Sequence, residues 1–249
     1  MNAPLVTYVL RHGDRALVLA QRLLEAVTHA PEIEEDMALA NLALDLLGQT
    51  RALYSYAAEL RGDGDEDQLA YFRDPQEFLN PLLVEQPNGD FAHLIGRQFL
   101  HDAYALPFWQ QMQGSSDATL AGLAGKAVKE TTYHLRHSSV WVVRLGDGTA
   151  ESHTRMQAAI DDLWRYTGEL FETDEIEHDL IAHGIAADPS ELAGVWRDTV
   201  TSTLATATLT LPDAPVMQFG GRRGLHGESF SYLIGELQVV ARAHPGATW

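Results

Sequence analysis

Apolar residues along this chain recur at intervals of three and four, and clusters of turn residues separate the resulting runs. This periodicity predicts helices almost throughout and an all-α fold. Five long helices are predicted over residues 5–26, 32–61, 90–113, 117–145 and 151–172, and shorter ones over 65–73, 175–182, 189–205 and 228–243. The breaks at 62–65, 86–89, 114–116, 146–148 and 211–215 are too short for interdomain linkers. We therefore expect one domain over residues 1–249, with the first four long helices as a bundle core.

The second long helix differs from the others because it is apolar nearly all round between Met37 and Gly48. Such a helix is typical of the centre of a bundle. It also carries Asn41, Asp45 and Gln49, which are spaced by four and so form one polar stripe. Buried polar groups need partners, so the stripe raises the question of a chemical site.

Composition excludes several classes of function. The 249 residues include 17 Lys and Arg against 35 Asp and Glu, which gives a formal net charge of −18. Nucleic acid is excluded as a partner, since binding a phosphate backbone requires a basic face. The chain has no Cys, so disulfides, thiolate metal sites and a Cys nucleophile are excluded. We find no basic leader and no segment apolar enough for a membrane span, which predicts a cytoplasmic protein without a membrane partner.

Helical bundles with inward polar stripes include the carboxylate-bridged two-metal proteins. Two of their helices each supply one Glu, and the other two each supply Glu-x-x-His, because residues three apart share a helix face. Here the single acids would be Asp14 and Asp102, which are shorter than Glu. On the second helix Asp45 is followed three residues later by Gly48, which has no side chain to donate.

The fourth long helix departs from the same pattern. His134 is preceded three residues earlier by Thr131, and Glu130 lies four residues before it. The spacing therefore argues against a two-iron site, and we assign no metal ligand and no catalytic residue in this chain. A weaker reading is a single ion held by His134 and His137.

Two interpretations of these polar residues stay open. In the first they form a structural polar core, in which Lys126, Glu130 and His134 face the stripe on the second helix. In the second the chain is a self-contained metal-dependent oxidase or oxygenase with an irregular ligand set. That set would consist of Asp14, Asp45, Asp102, Glu130 and His134.

Eight segments of the chain carry a resemblance to a known family. They are Tyr8-x-Leu-Arg-x-Gly-Asp14, Leu39-Ala-Asn-x-x-Leu-Asp-Leu-Leu-Gly-Gln49, Lys129-Glu-x-x-Tyr-His-Leu-Arg136, Gly220-Gly-x-x-Gly-Leu-His226 and the segments 64–70, 83–89, 163–171 and 245–249. In these segments, and over nearly its full length, the chain resembles the C subunits of the ring 1,2-phenylacetyl-CoA epoxidases, multicomponent bacterial monooxygenases of phenylacetate degradation. Many specific segments in the same order make this a strong match.

The resemblance implies a ferritin-like helical bundle with four long core helices and additional C-terminal helices. It implies a partner A subunit of the same fold, which holds the di-iron centre and inserts an oxygen atom into the aromatic ring of phenylacetyl-CoA. A small B subunit and a reductase complete the assembly. The C subunit is the structural companion, without a cofactor of its own. In this chain the ligand pattern fails at Gly48 and Thr131, which agrees with the spacing argument.

Two surfaces are candidates for contacts outside the chain. The loop at 220–224 presents Arg222 and Arg223 before a helix, an arrangement suited to a CoA phosphate or to an acidic partner surface. A solvated turn is the alternative. For the partner interface, fold analogy favours the first two long helices.

Overall fold

The computed structural model describes residues 2–213 and 216–247. Ala214 and Pro215 of the predicted 211–215 break lie outside these ranges, as does Trp249 of the terminal resemblance segment. The helices are α1 (Asn2–Ala26), α2 (Ile33–Arg61), α3 (Glu66–Tyr71), α4 (Leu82–Glu85), α5 (Phe91–Met112), α6 (Ala118–Gly146), α7 (Ala150–Trp164), α8 (Glu175–Ala182), α9 (Pro189–Thr206) and α10 (Glu228–Ala243). Short 3-10 turns occupy Pro75–Glu77, Gly168–Phe171 and Gly221–Arg223. The described ranges contain no strand, so the predicted all-α class is confirmed, consistent with a ferritin-like fold.

The ends of the long helices follow from local chemistry. Asp90 caps α5 by accepting a hydrogen bond from the backbone N–H of His93 at 3.0 Å, and Asp117 caps α6 through Leu120 at 2.9 Å. At the other end of α2, Gly62 adopts a left-handed conformation with φ of 76°, which favours glycine. Turn and cap residues that are visible in the sequence therefore set these boundaries.

Helix α7 ends eight residues before the predicted boundary, at Trp164. The backbone N–H of Thr167 bonds to the carbonyl of Trp164 at 3.1 Å, and its hydroxyl bonds to the same carbonyl at 2.8 Å. These contacts tighten the last turn, and the chain continues as the 3-10 turn Gly168–Phe171. The apolar pattern runs on through this turn, and for that reason periodicity alone overestimated the helix.

The chain divides into two compact units. Within its described part, the first unit joins residues 2–87 with residues 220–247, and its main helix pair is α1 with α2. Leu19, Leu23, Leu39 and Leu42 are fully buried in it. The first unit is therefore built from two segments that are distant in the sequence.

The second unit is one continuous segment, residues 88–219. Helices α5 and α6 form its main pair, and α7 and α9 pack on α5. Its core is rich in aromatic side chains, and the Nε1–H of buried Trp196 donates to the carbonyl of Leu100 at 3.0 Å. Across the described residues, no helix has the length and apolar character that crossing a membrane requires.

Candidate functional site

Asp14 on α1 is fully buried, and its carboxylate accepts four hydrogen bonds within the first unit. One oxygen accepts from the Tyr54 hydroxyl and from Nη2 of Arg73, each at 2.5 Å. The other accepts from Nη1 of Arg73 at 3.1 Å and from the backbone N–H of Leu79 at 2.7 Å. We call Asp14, Tyr54, Arg73 and Leu79 the Asp14 cluster. Each carboxylate oxygen therefore has two donors already.

Arg73 is held in place from several sides. Its Nε donates to the carbonyl of Leu69 at 2.6 Å, and its guanidinium carbon lies 4.1 Å from the centre of the Phe78 ring. Nη2 also donates to the Tyr54 hydroxyl at 2.7 Å. Burial raises the pKa of Tyr54, with the neighbouring Asp14 charge acting in the same direction and the Arg73 charge opposing it. Tyr54 therefore stays neutral and serves as a hydrogen-bond donor to Asp14.

Asp102 on α5 is the second fully buried acid, in the second unit. Nε2 of Gln98 donates to Oδ1 at 2.7 Å, and the Ser138 hydroxyl of α6 lies 2.9 Å from Oδ2. Nδ1 of His101 lies 3.2 Å from Oδ1. We call Asp102, Gln98, His101 and Ser138 the Asp102 cluster.

The Asp102 cluster suits a neutral carboxylic acid. Burial raises the pKa of Asp102 well above its ordinary value, although hydrogen bonds from Ser138 and Gln98 act against it. Ser138 has a single hydroxyl hydrogen, and the carbonyl oxygen of His134 lies 3.0 Å from its Oγ. A protonated Asp102 can donate to Ser138 while Ser138 donates to that carbonyl, so both groups are satisfied.

The other residues at the expected metal-ligand positions offer few groups that could bind a metal ion. Asp45 is half-buried on α2, and Gly48, one turn later, has no side chain. Thr131 and His134 are both buried on α6. Glu130 forms an ion pair with Lys126 at 3.2 Å, but Lys126 is mostly exposed, so the pair contributes little to stability.

These residues do not fit a di-iron centre of the kind that the resemblance implies for catalytic relatives. Both oxygens of Asp14 already accept hydrogen bonds and a guanidinium ion neutralises its charge, whereas the Asp102 cluster suits a neutral acid rather than a carboxylate that would bind a metal ion. Among the described residues, no group of three or more His, Asp or Glu could hold a metal ion.

A third buried network was not anticipated from the sequence. Glu85 of α4 lies 2.6 Å from Nδ1 of His226, and it accepts from the backbone N–H of Gly227 at 2.7 Å and from Asn80 at 3.0 Å. Nε2 of His226 faces the carbonyl oxygen of Phe78 at 2.9 Å. Because His226 and Gly227 lie more than 140 residues from Glu85, no local pattern could have identified these two partners. The network ties the segment before α10 to residues 78–85.

The loop at 220–224, which carries Arg222 and Arg223, packs against the backbone near Asn80. Gly221 is buried, and a Cβ there would clash with the carbonyl oxygen of Asn80. Arg222 is half-buried and Arg223 is exposed. Burial lowers the pKa of His12, and the positive charges of Arg15, Arg222 and Arg11 lower it further, which places Arg222 among other cations of the first unit.

The start of α10 lies beside this loop and could contribute backbone N–H donors to an anion. The backbone N–H of Gly227, at the N-cap of that helix, donates to the Glu85 carboxylate. One backbone donor at the start of α10 is therefore already paired within the chain.

Comparison with known proteins agrees with this helical architecture. The family model described as phenylacetic acid catabolic protein matches residues 1–249, and the chain belongs to that family. Among curated proteins, it is 49% identical over 245 residues to the C subunit of 1,2-phenylacetyl-CoA epoxidase from Escherichia coli (strain K12). The match covers 98% of this chain and 99% of that relative. The resemblance stated from the sequence is confirmed.

Proposed function

We propose that this chain is a structural, noncatalytic subunit of a phenylacetyl-CoA 1,2-epoxidase complex, in which it supports a catalytic A subunit that holds the di-iron centre. The name of the E. coli relative supports membership in such an enzyme. One observation in particular supports the noncatalytic role. Asp14, the acid at the first expected ligand position, already accepts hydrogen bonds from Arg73, Tyr54 and Leu79.

The proposed role is mechanical. A bundle subunit without metal ligands can bury the partner's helices and hold the partner's ligand residues in register, which preorganises the catalytic site. In this arrangement the A subunit makes most contacts with phenylacetyl-CoA, a B subunit completes the assembly, and a reductase supplies the electrons. The chain itself needs no cofactor, and the assembly acts in the cytoplasm.

Metal content and turnover test the noncatalytic role. The chain is purified alone and together with its A subunit, and iron is measured by mass spectrometry in both preparations. We expect iron only where the A subunit is present and, once the B subunit and the reductase are added to both preparations, NADPH-dependent oxidation of phenylacetyl-CoA only there. A di-iron stoichiometry and turnover in the isolated chain would instead support the self-contained oxygenase.

We propose further that Arg222 and Arg223 contact a CoA phosphate or an acidic surface in the assembled complex. The test replaces both by Ala and measures phenylacetyl-CoA affinity and subunit affinity of the complex. Replacing Arg51 and Arg61, which lie on the same unit, is the charge-matched control. Weaker CoA binding supports the phosphate role, weaker subunit binding supports the acidic surface, and unchanged values for both remove the proposal.

We also propose that both units belong to one domain over residues 1–249. The buried Trp109, Trp164 and Trp196 lie in the second unit, whereas circular dichroism reports the helices of both units. Coincident urea unfolding transitions by Trp fluorescence and circular dichroism are expected for one cooperative domain. Two separate transitions would show that the units unfold independently.

A further inference from the structure

Helix α2 exposes three large apolar side chains on one face. Ile33 is 71% exposed, and Met37 and Leu44 are each 62% exposed. Their spacings of four and seven residues place them on the same side of the helix. We call Ile33, Met37 and Leu44 the α2 apolar face.

The other side of α2 is buried in the usual way. Leu39, Leu42 and Leu46 lie in the core of the first unit. A surface helix normally carries polar residues on its outer side, and a helix that is apolar all round is normally covered on both sides. Within the described residues, α2 is covered on one side over this stretch, although its sequence predicts burial on both. The expectation that α2 is a central helix is therefore met in part.

The apolar character stops halfway along the same exposed side. Further along, Arg51 and Ser55 both bond to Glu66, at 3.0 Å and 2.8 Å. This second half is an ordinary solvated surface with ion pairs. The large exposed apolar side chains of α2 are therefore confined to its first half, where the polar Asn41 also lies exposed between Met37 and Leu44. Clusters of exposed apolar side chains mark interaction sites.

The charges beside the α2 apolar face indicate which kind of partner it would bind. Glu34, Glu35 and Asp36 form the first turn of α2, beside the α2 apolar face. Between residues 33 and 50 the sequence has no Lys or Arg. If two copies paired through this face, each acidic turn would meet acidic or neutral residues, and both copies would carry a formal charge of −18. Self-association is thus electrostatically unfavourable, whereas an apolar surface flanked by Lys or Arg is complementary.

We propose that the α2 apolar face docks the catalytic A subunit, through an apolar helical surface on that subunit with basic side chains beside the acidic first turn. The identity of the partner rests on the proposed function, and the position and chemistry of the interface rest on α2. Burying three apolar side chains at the centre of an interface supplies affinity, and the adjoining charges supply orientation.

The decisive variant is Met37→Glu with Leu44→Glu. The control is Tyr232→Glu with Val239→Glu, which places the same charges on exposed apolar positions of α10 in the same unit. Affinity for the purified A subunit is measured by titration calorimetry after circular dichroism shows that each variant is folded. We expect the α2 variant to bind about a hundredfold more weakly, and the control to change by less than about threefold.

Two milder variants test binding with less risk of unfolding the chain. Met37→Ala with Leu44→Ala removes apolar contact without adding charge and is expected to weaken binding about tenfold. Glu34→Lys leaves the apolar face intact and is expected to weaken binding and reduce its salt dependence, because it removes charge complementarity.

The outcomes separate this proposal from the proposed function. If the wild-type chain does not bind the A subunit, the proposed function fails. If it binds and the α2 variants bind equally well, or the α10 control weakens binding to the same degree, the docking face is wrong and the proposed function stands. If light scattering shows a wild-type dimer that the α2 variant abolishes, the occupant is a second copy, which overturns the proposal.

Discussion

Replacing the buried acid Asp102 by Asn should change how the stability of the protein depends on pH. Burial raises the pKa of Asp102, so the folded state retains a proton that the unfolded state releases. The folded state then binds more protons, and the free energy of unfolding falls as pH rises above the ordinary pKa of an aspartate. Asp102→Asn has nearly the same shape, cannot ionise, and can still donate to Ser138 and accept from Gln98.

The size of this pH effect on the free energy of unfolding follows from the single proton held by Asp102. A difference of one proton between the folded and unfolded states changes the free energy of unfolding by about 1.4 kcal/mol per pH unit. This slope applies from the ordinary pKa of Asp upwards, until the folded-state carboxyl ionises. Over that interval the stability of Asp102→Asn relative to wild type should rise by up to about 1.4 kcal/mol per pH unit.

Urea denaturation at a series of pH values between about 5 and 8 measures this difference. Glu66→Gln is the control, because hydrogen bonds from Ser55 and Arg51 lower the pKa of Glu66. A group with a lowered pKa contributes stability that is lost only as pH falls, so this control should differ from wild type by a constant amount across the series. If the Asp102→Asn curve also runs parallel to that of wild type, Asp102 is ionised in the folded protein and the reasoning is wrong.

Four further substitutions, the last of them a control, test buried contacts of the first unit by urea unfolding. Arg73→Met should lower the free energy of unfolding by about 3 to 5 kcal/mol, since it leaves a buried carboxylate without its cation; a loss below about 1 kcal/mol would contradict the ion pair. Glu85→Ala should cost about 2 to 4 kcal/mol, because it removes the partner of His226, of the buried Asn80 amide and of the Gly227 N–H. Gly221→Ala should cost about 1 to 3 kcal/mol through its clash with a backbone carbonyl. Gly235→Ala, where a Cβ meets open space, should gain up to about 1 kcal/mol, and equal effects at the two glycines would refute the clash.

The long helices could be predicted because their signals are local. Apolar residues at intervals of three and four, together with cap residues such as Asp90 and Gly62, define each boundary within a few neighbours. The four residues of α4 were missed, since one turn is too short to show a period. The end of α7 was misplaced because the Thr167 contacts that tighten it leave the apolar pattern unchanged.

In the candidate site, too, features that depend on local sequence could be predicted and contacts between distant residues could not. The lack of a side chain at Gly48 is visible in the sequence, so the failure of the ligand pattern could be predicted. The partners of Asp14 could not, because Tyr54 and Arg73 lie 40 and 59 residues away along the chain. Gln98, four residues from Asp102 on the same helix, is the exception, since helical spacing alone makes that contact predictable.

The first unit is assembled from both ends of the described chain, and this has a consequence for synthesis on the ribosome. Residues 220–227 supply the imidazole and the backbone N–H that satisfy the carboxylate of Glu85. Until they emerge, that carboxylate lacks these partners, whereas the continuous segment 88–219 is already complete. The contacts within the middle of the polypeptide can therefore form early in translation, whereas the buried carboxylate near its beginning must wait for the segment that leads into the last helix.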